Sequence, residues 1–290
     1  MKTGIVDVGG GQRGIYASGV FDFCLEQNIT FDLGIGVSAG SANLSSFAAR
    51  QHGRNVRFYT QYARRKQYMS LHNFLFHHSY IDLDYVYSVL SNEGGEDPLD
   101  FETLQSNPME MLVVAENALS GEPTYFSKKD MEKNHYDIMK ASCAIPYVCK
   151  PYEVHGIPYY DGALANPIPV DKALEWGCER VVLILTRPLD YVRSPKRDEK
   201  IARRIEKKYP AAAAQFRLRA EKYNRGVQQA KELAAKGNVC IIAPKDTTGL
   251  DTLTRDPNAL LRFYEQGKND AKAIIPFLKK AVSEQDSSRR

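Results

Sequence analysis

Leu33-Gly34-Ile35-Gly36-Val37-Ser38-Ala39-Gly40 runs from a short apolar stretch toward the start of a helix and sets a serine between two glycines at the junction. A nucleophilic serine at such a junction sits in a strained turn with its Oγ projecting. Side chains two residues before it and two after would collide with that turn. Gly36 and Gly40 satisfy that demand. A helix expected from about Ser41, with its body over Ala42 to Arg50, directs its N-terminal N–H groups and the positive end of its dipole at the serine. A plain glycine-rich strand-to-helix turn would read the same locally, so the surrounding sequence has to decide.

Upstream, Gly4 to Val8 is another strand-sized apolar run, and Gly9-Gly10-Gly11-Gln12-Arg13-Gly14 follows it before a helix over Ile15 to Leu25. The GxGxxG spacing fits a dinucleotide loop, in which glycines let a pyrophosphate approach the N–H groups at a helix start. Such a pattern arises by chance in about one chain in ten of this length. A ribose-binding acid should end the second strand, whereas Asp32 precedes Leu33. The alternative pairs the two motifs. If Ser38 is a nucleophile, its tetrahedral intermediate needs preorganised donors, and Gly9, Gly10 and Gly11 offer N–H groups free of side-chain obstruction. On that reading Arg13 fixes the loop or meets an anionic substrate head group; a solvated residue at a helix start is the bland counterpart.

A serine needs a base. Hydrolases with this kind of elbow use Ser, then Asp or Glu, then His, in chain order. Here the last histidine is His155, in a turn before Gly156, and it is an outside candidate; His52, His72, His77, His78 and His135 lie in polar segments and read as surface residues. A carboxylate acting directly on the serine is the other route. It must be desolvated or closely hydrogen-bonded, because an aspartate of ordinary pKa is a weak base. Asp161, in Tyr160-Asp161-Gly162-Ala163, follows an apolar extended stretch and fits, although Asp-Gly alone reads as a hairpin turn.

These blocks resemble, in order, those of the patatin-like phospholipases, and the chain is similar to their bacterial branch over about residues 4–190. The carriers are Gly9 to Gly14, Gly36 to Gly40 and Asp161-Gly162-Ala163, joined by Ala141-Ser142-Cys143-Ala144-Ile145-Pro146 and by Asn166-Pro167. The third block ends in alanine where many members have glycine. The resemblance implies a three-layer α/β/α fold with a mainly parallel central sheet, and a lipid acyl hydrolase working through a Ser38–Asp161 dyad. It implies Gly9, Gly10 and Gly11 as oxyanion donors and no metal or organic cofactor. A dinucleotide-binding protein and a catalytically weak, membrane-associated adaptor of the same fold are the competing functions.

Beyond residue 195 the character changes. Lys196 to Lys236 reads as helical and broken at Pro210, Val239 to Ile242 as a last strand, and Pro257 to Val282 as a C-terminal helix. The expected division is therefore a catalytic domain over 1–195 and a mostly helical extension over 196–290 packing on it. The 290 residues carry a net charge of only +4, but residues 196–236 hold 13 Lys/Arg against 5 Asp/Glu, and 50–68 hold six basic residues and no acid. Both segments are candidates for peripheral contact with an anionic membrane surface, against solvated helix faces as the plain reading. No nucleic-acid motif accompanies the charge, so no nucleic acid is expected. An aromatic-rich stretch (Phe74, Leu75, Phe76, Tyr80, Ile81, Tyr85, Tyr87) either lines a lipid groove or is core.

Other classes drop out on composition. The strongest apolar run, Val181 to Leu185, is strand-sized and far short of a membrane span, and Asp7 interrupts any secretory leader. Five scattered cysteines without CxxC spacing fit reduced thiols in a cytoplasmic protein, not a disulfide scaffold or zinc site.

Overall fold

The computed structural model describes residues 1–279. The parallel part of the central sheet is built from β1 (Thr3–Asp7), β2 (Leu33–Val37), β3 (Glu110–Asn117), β7 (Arg180–Ile184) and β8 (Val239–Ile242). These run parallel in the spatial order β3-β2-β1-β7-β8. Three strands run against them: β4 (Pro123–Ser127) and β6 (Ile157–Asp161) pair antiparallel with β3, and β5 (Tyr152–Val154) pairs with β6.

The period-two alternation of strand side chains sorts the apolar residues onto two faces. Ile5, Val113, Val182 and Ile184 go to one face, under α1 (Ile15–Glu26), α2 (Ala39–Ala48) and α10 (Pro257–Asp270). Val6, Ile35, Val114, Val181 and Leu183 go to the other, under α7 (Val170–Glu175) and α9 (Pro210–Ala235). Burial on both faces explains why these strands read as short continuous apolar runs. The result is a mixed α/β fold, its sheet mostly parallel and flanked by helices.

The C-terminal segment is woven into this frame. β8 extends the sheet beyond β7, and α10 lies along α1 at backbone contact. A Cβ on Gly19 would fall 2.1 Å from the Tyr264 carbonyl oxygen, and one on Gly267 would fall 2.0 Å from that of Tyr16. Pro210 opens α9 at its first turn, where a missing N–H costs nothing. The single C-terminal helix expected from Pro257 ends instead at Asp270, passes through a 3₁₀ turn (Ala271–Ala273) and resumes over 274–279. Its expected last residues, 280–282, lie outside the described residues.

Part of the basic segment 50–68 is paired within the fold. Arg54, buried in α3 (Arg54–Thr60), donates to the Ser46 and Ser91 hydroxyls and the Asp97 carbonyl. Arg57 grips the Asp97 carboxylate through two bonds of 2.6 and 3.0 Å, and Arg65 grips Glu96 in the same way. Two acids supplied by a distant loop, Asp97 and Glu96, pair with three of the six basic residues. No helix among the described residues is long and apolar enough to cross a membrane.

Candidate active site

Ser38 stands at the end of β2 as the N-cap of α2, with φ 56° and ψ −131°. A non-glycine residue in that region of backbone space is strained and persists only where its surroundings fix it. The surroundings are close. A Cβ on Gly36 would come within 2.5 Å of the Ser41 Cα, and one on Gly40 within 2.4 Å of the Asp7 carbonyl oxygen, so the two flanking glycines are sterically required. α2 begins at Ala39, two residues earlier than expected, because the elbow itself forms the cap.

Two residues of the segment after α6 (Asp137–Ser142) and its last helical turn hold the elbow and Asp161 at once. The Ser142 hydroxyl accepts the Ser38 N–H at 2.9 Å and donates to the Val114 carbonyl at 2.6 Å. The Ala144 carbonyl accepts the Asp161 N–H at 3.0 Å. The Asp161 carboxylate is 2% exposed and also accepts the Ala163 N–H at 2.9 Å. Burial raises its pKa, while hydrogen bonding with Ser38, the Arg219 charge and the Ala163 N–H pull it back. An aspartate poised in this way is a better base toward a hydroxyl than one in water. Asp161-Gly162 is not a hairpin turn; that turn is at His155-Gly156, between β5 and β6, and His155 is exposed there. No histidine among the described residues lines either cavity at Ser38.

The glycine loop leaves β1 with positive φ at Gly9, Gly10 and Gly11, and closes over the start of α2. A Cβ on Gly9 would lie 2.2 Å from the Val37 carbonyl oxygen. One expectation fails here. The Gly9 N–H points back to the Asp7 carboxylate at 2.9 Å, so it is occupied and is not a free oxyanion donor. Gly10 and Gly11 give their N–H groups to no acceptor among the described residues. Asp7 is fully buried, and desolvation lifts its pKa to about 6 against the bonds from Asn43 and Gly9. Asn43, on α2, was not singled out by sequence and proves to be a hub. Its amide donates to Asp7 and the Gly14 carbonyl, and its oxygen accepts from Ser18 and Tyr59.

Two cavities meet at Ser38. One is narrow, about 70 Å³, and mainly apolar, lined among others by Phe58, Leu83, Val86, Tyr87 and Met139. Of the aromatic-rich stretch, only Ile81 and Tyr87 line it. Leu75 and Phe76, on α4 (Leu71–His77), are 70% and 68% exposed and point away. The other cavity, about 390 Å³, holds Gly9 to Gly11, Asp161 and Arg13. Arg13 is buried rather than solvated, and its guanidinium donates to the Thr252 hydroxyl at 3.3 Å.

A strained serine at a strand-to-helix elbow, a buried aspartate beside it and a glycine loop over the same point come together at one end of a mostly parallel α/β sheet. The chain belongs to the patatin-like phospholipase family, whose sequence profile matches residues 8–174. The profile of a domain of unknown function matches residues 209–283. The uncharacterised protein YjjU of Escherichia coli K12 is 31% identical over 200 residues, covering 67% of this chain and 55% of that protein. The chain thus spans about half the length of this curated relative. VipD of Legionella pneumophila aligns in structure over 96% of this chain and 67% of its own, at 12% identity and a TM-score of 0.47.

Proposed function

We propose that the protein cleaves fatty-acyl ester bonds of phospholipids or related lipids, with Ser38 as nucleophile and Asp161 as its base. The observation that carries this reading is the strained Ser38 backbone beside a carboxylate whose pKa is raised by burial. Asp161 accepts the serine proton as Oγ attacks the ester carbonyl. The Gly10 and Gly11 N–H groups and the start of α2 stabilise the oxyanion, and Gly9 shapes the loop through Asp7. The protonated carboxyl then donates to the leaving alcohol. A water deprotonated by the same carboxylate hydrolyses the acyl-enzyme, and the fatty acid leaves. The narrow apolar cavity receives the start of the acyl chain. In this reading residues 1–195 form the catalytic body and 196–290 complete it.

Labelling with a fluorophosphonate tests the nucleophile directly. The wild type should be modified at Ser38, and Ser38→Ala should remain unlabelled. Asp161→Asn should lose ester hydrolysis by at least about 10²-fold; full activity in that variant would end the dyad reading.

A further inference from the structure

The larger cavity has an unusual wall. Five arginines line it, Arg13, Arg187, Arg193, Arg197 and Arg219, against only two carboxylates, Asp161 and Asp198. Four of the five come from beyond the region that matches the patatin-like profile: three from 187–197, after β7, and one from α9. Arg193 is partly satisfied, since its guanidinium donates to Asp198 at 3.1 Å. Arg187 lies over the Tyr191 ring at 4.7 Å, and Arg219 over that of Phe216 at 5.4 Å; neither makes an ion pair among the described residues. The Nε atoms of Arg13 and Arg193 are buried without a hydrogen-bond partner.

Like charges crowded in a partly closed space repel, and a protein holds them there most readily when an anion completes the arrangement. The repulsion is felt. Burial, and after it the Arg187 charge, lowers the pKa of Arg13 to about 10; burial and then Arg193 do the same to Arg219. Guanidinium groups match phosphate oxygens in paired, planar hydrogen bonds, and several around one chamber suit a group carrying more than one negative charge. The volume lies within the usual range for small-ligand sites.

We propose that this cavity is a phosphate-binding subsite for the leaving group, so that the preferred substrate is an acyl ester of a glycerol phosphate monoester. The proposal rests on the reading of Ser38 as nucleophile. It also accounts for the C-terminal segment, because α9 supplies Arg219 and Tyr223 to the cavity wall, and the loop after β8 supplies Thr252, whose carbonyl accepts the Gln12 N–H of the glycine loop at 3.0 Å.

The test compares three substrates with one acyl chain, 1-oleoyl-lysophosphatidate, 1-oleoyl-lysophosphatidylcholine and monoolein. For the wild type, kcat/KM should favour the phosphate monoester by about 10-fold or more over the other two. Arg187→Gln, at a half-buried position, and Arg197→Gln, at an exposed one, should each reduce that preference by several-fold. Equal kcat/KM on all three, or a preference for the choline or neutral lipid, overturns the proposal. A second arm needs no turnover. Ser38→Ala protein, titrated calorimetrically with glycerol 3-phosphate and with inorganic phosphate, should bind both, more weakly when Arg187→Gln is added. Binding without hydrolysis of any ester would sink the hydrolase reading and leave the anion site standing. Hydrolysis of monoolein without phosphate binding would do the reverse.

Discussion

Ser38 and Asp161 meet because their strands share one edge of β3. β2 pairs with Glu110–Val114 and β6 with Ala115–Asn117, while β4 occupies the opposite edge over Leu112–Glu116. β2 and β6 therefore approach end to end from opposite directions. Val37 pairs with Val114 and Asp161 with the next residue, Ala115, so the serine that follows Val37 arrives beside the aspartate. The contact is written in sheet register, and it lies at the carboxyl ends of the parallel strands, where open α/β sheets place their ligands.

Ser142 should prove a positioning residue. Its hydroxyl joins the Ser38 N–H to the Val114 carbonyl, both buried. Ser142→Ala leaves both groups unpaired, which should cost about 1–3 kcal/mol in urea unfolding. The folded fraction should show lower kcat on a small neutral ester with little change in KM, since the altered bond orients the proposed nucleophile rather than the acyl group.

The rate should fall on acidification. On the proposed mechanism Asp161 must be ionised to accept the serine proton, and burial raises its pKa above the ordinary carboxylate value. The acid limb of kcat/KM should therefore lie above the usual aspartate range. Arg219 favours the ionised form. Arg219→Gln should move the limb to higher pH, measured on a neutral ester so that leaving-group charge plays no part. A limb that stays in place would show that Arg219 does not act on the base.

The elbow and the glycine loop were legible because steric demands at one turn act over a few residues, and Gly36 and Gly40 record them. Asp161 was less so: its local sequence reads as a turn, and it was marked by the lack of a suitably placed histidine, the apolar stretch before it and the order of blocks. Ser142 and Ala144 looked like a motif without a mechanism, since their partners lie on strands distant in sequence. The charge runs were the least legible. Arg54 and Arg57 find Asp97 some forty residues on, and the composition of α9 could not say that Arg219 faces a cavity while Arg217 pairs with Glu199 and Glu206. Which face of a basic helix turns inward is decided by packing, and the run of charges is the same either way.

Asn43 should matter for stability as much as any core residue. Its side chain makes four hydrogen bonds that tie α2 to Asp7, Gly14, Ser18 and Tyr59. Asn43→Ala removes all four and strips the buried Asp7 carboxylate of a donor. A loss of about 2–4 kcal/mol is expected from urea unfolding. Asn43→Asp should be no milder, because it places a second carboxylate against Asp7. A loss under about 1 kcal/mol for Asn43→Ala would mean that water replaces the amide.

Glu116 should make the protein less stable as pH rises. It sits in β3 with no exposed surface, and neither carboxyl oxygen has a hydrogen-bond partner. Desolvation lifts its pKa from 4.5 to about 9, against the attraction of Lys222. The folded chain thus keeps this proton up to about pH 9, whereas the unfolded chain releases it near 4.5. Between those values the unfolded state binds fewer protons, so stability declines with rising pH. The contribution is fully present below the lower value and is lost by the upper. Glutamine cannot ionise, so Glu116→Gln should gain on the wild type as pH rises, by roughly 3–4 kcal/mol between pH 5 and pH 8. Urea unfolding at the two pH values reads this difference directly, and the pH dependence, rather than the absolute offset, carries the argument. The buried amide adds a cost of its own, but that cost is the same at both. A wild-type-to-variant gap that does not change with pH would show that Glu116 is ionised in the folded protein, held by Lys222 across the α9 interface.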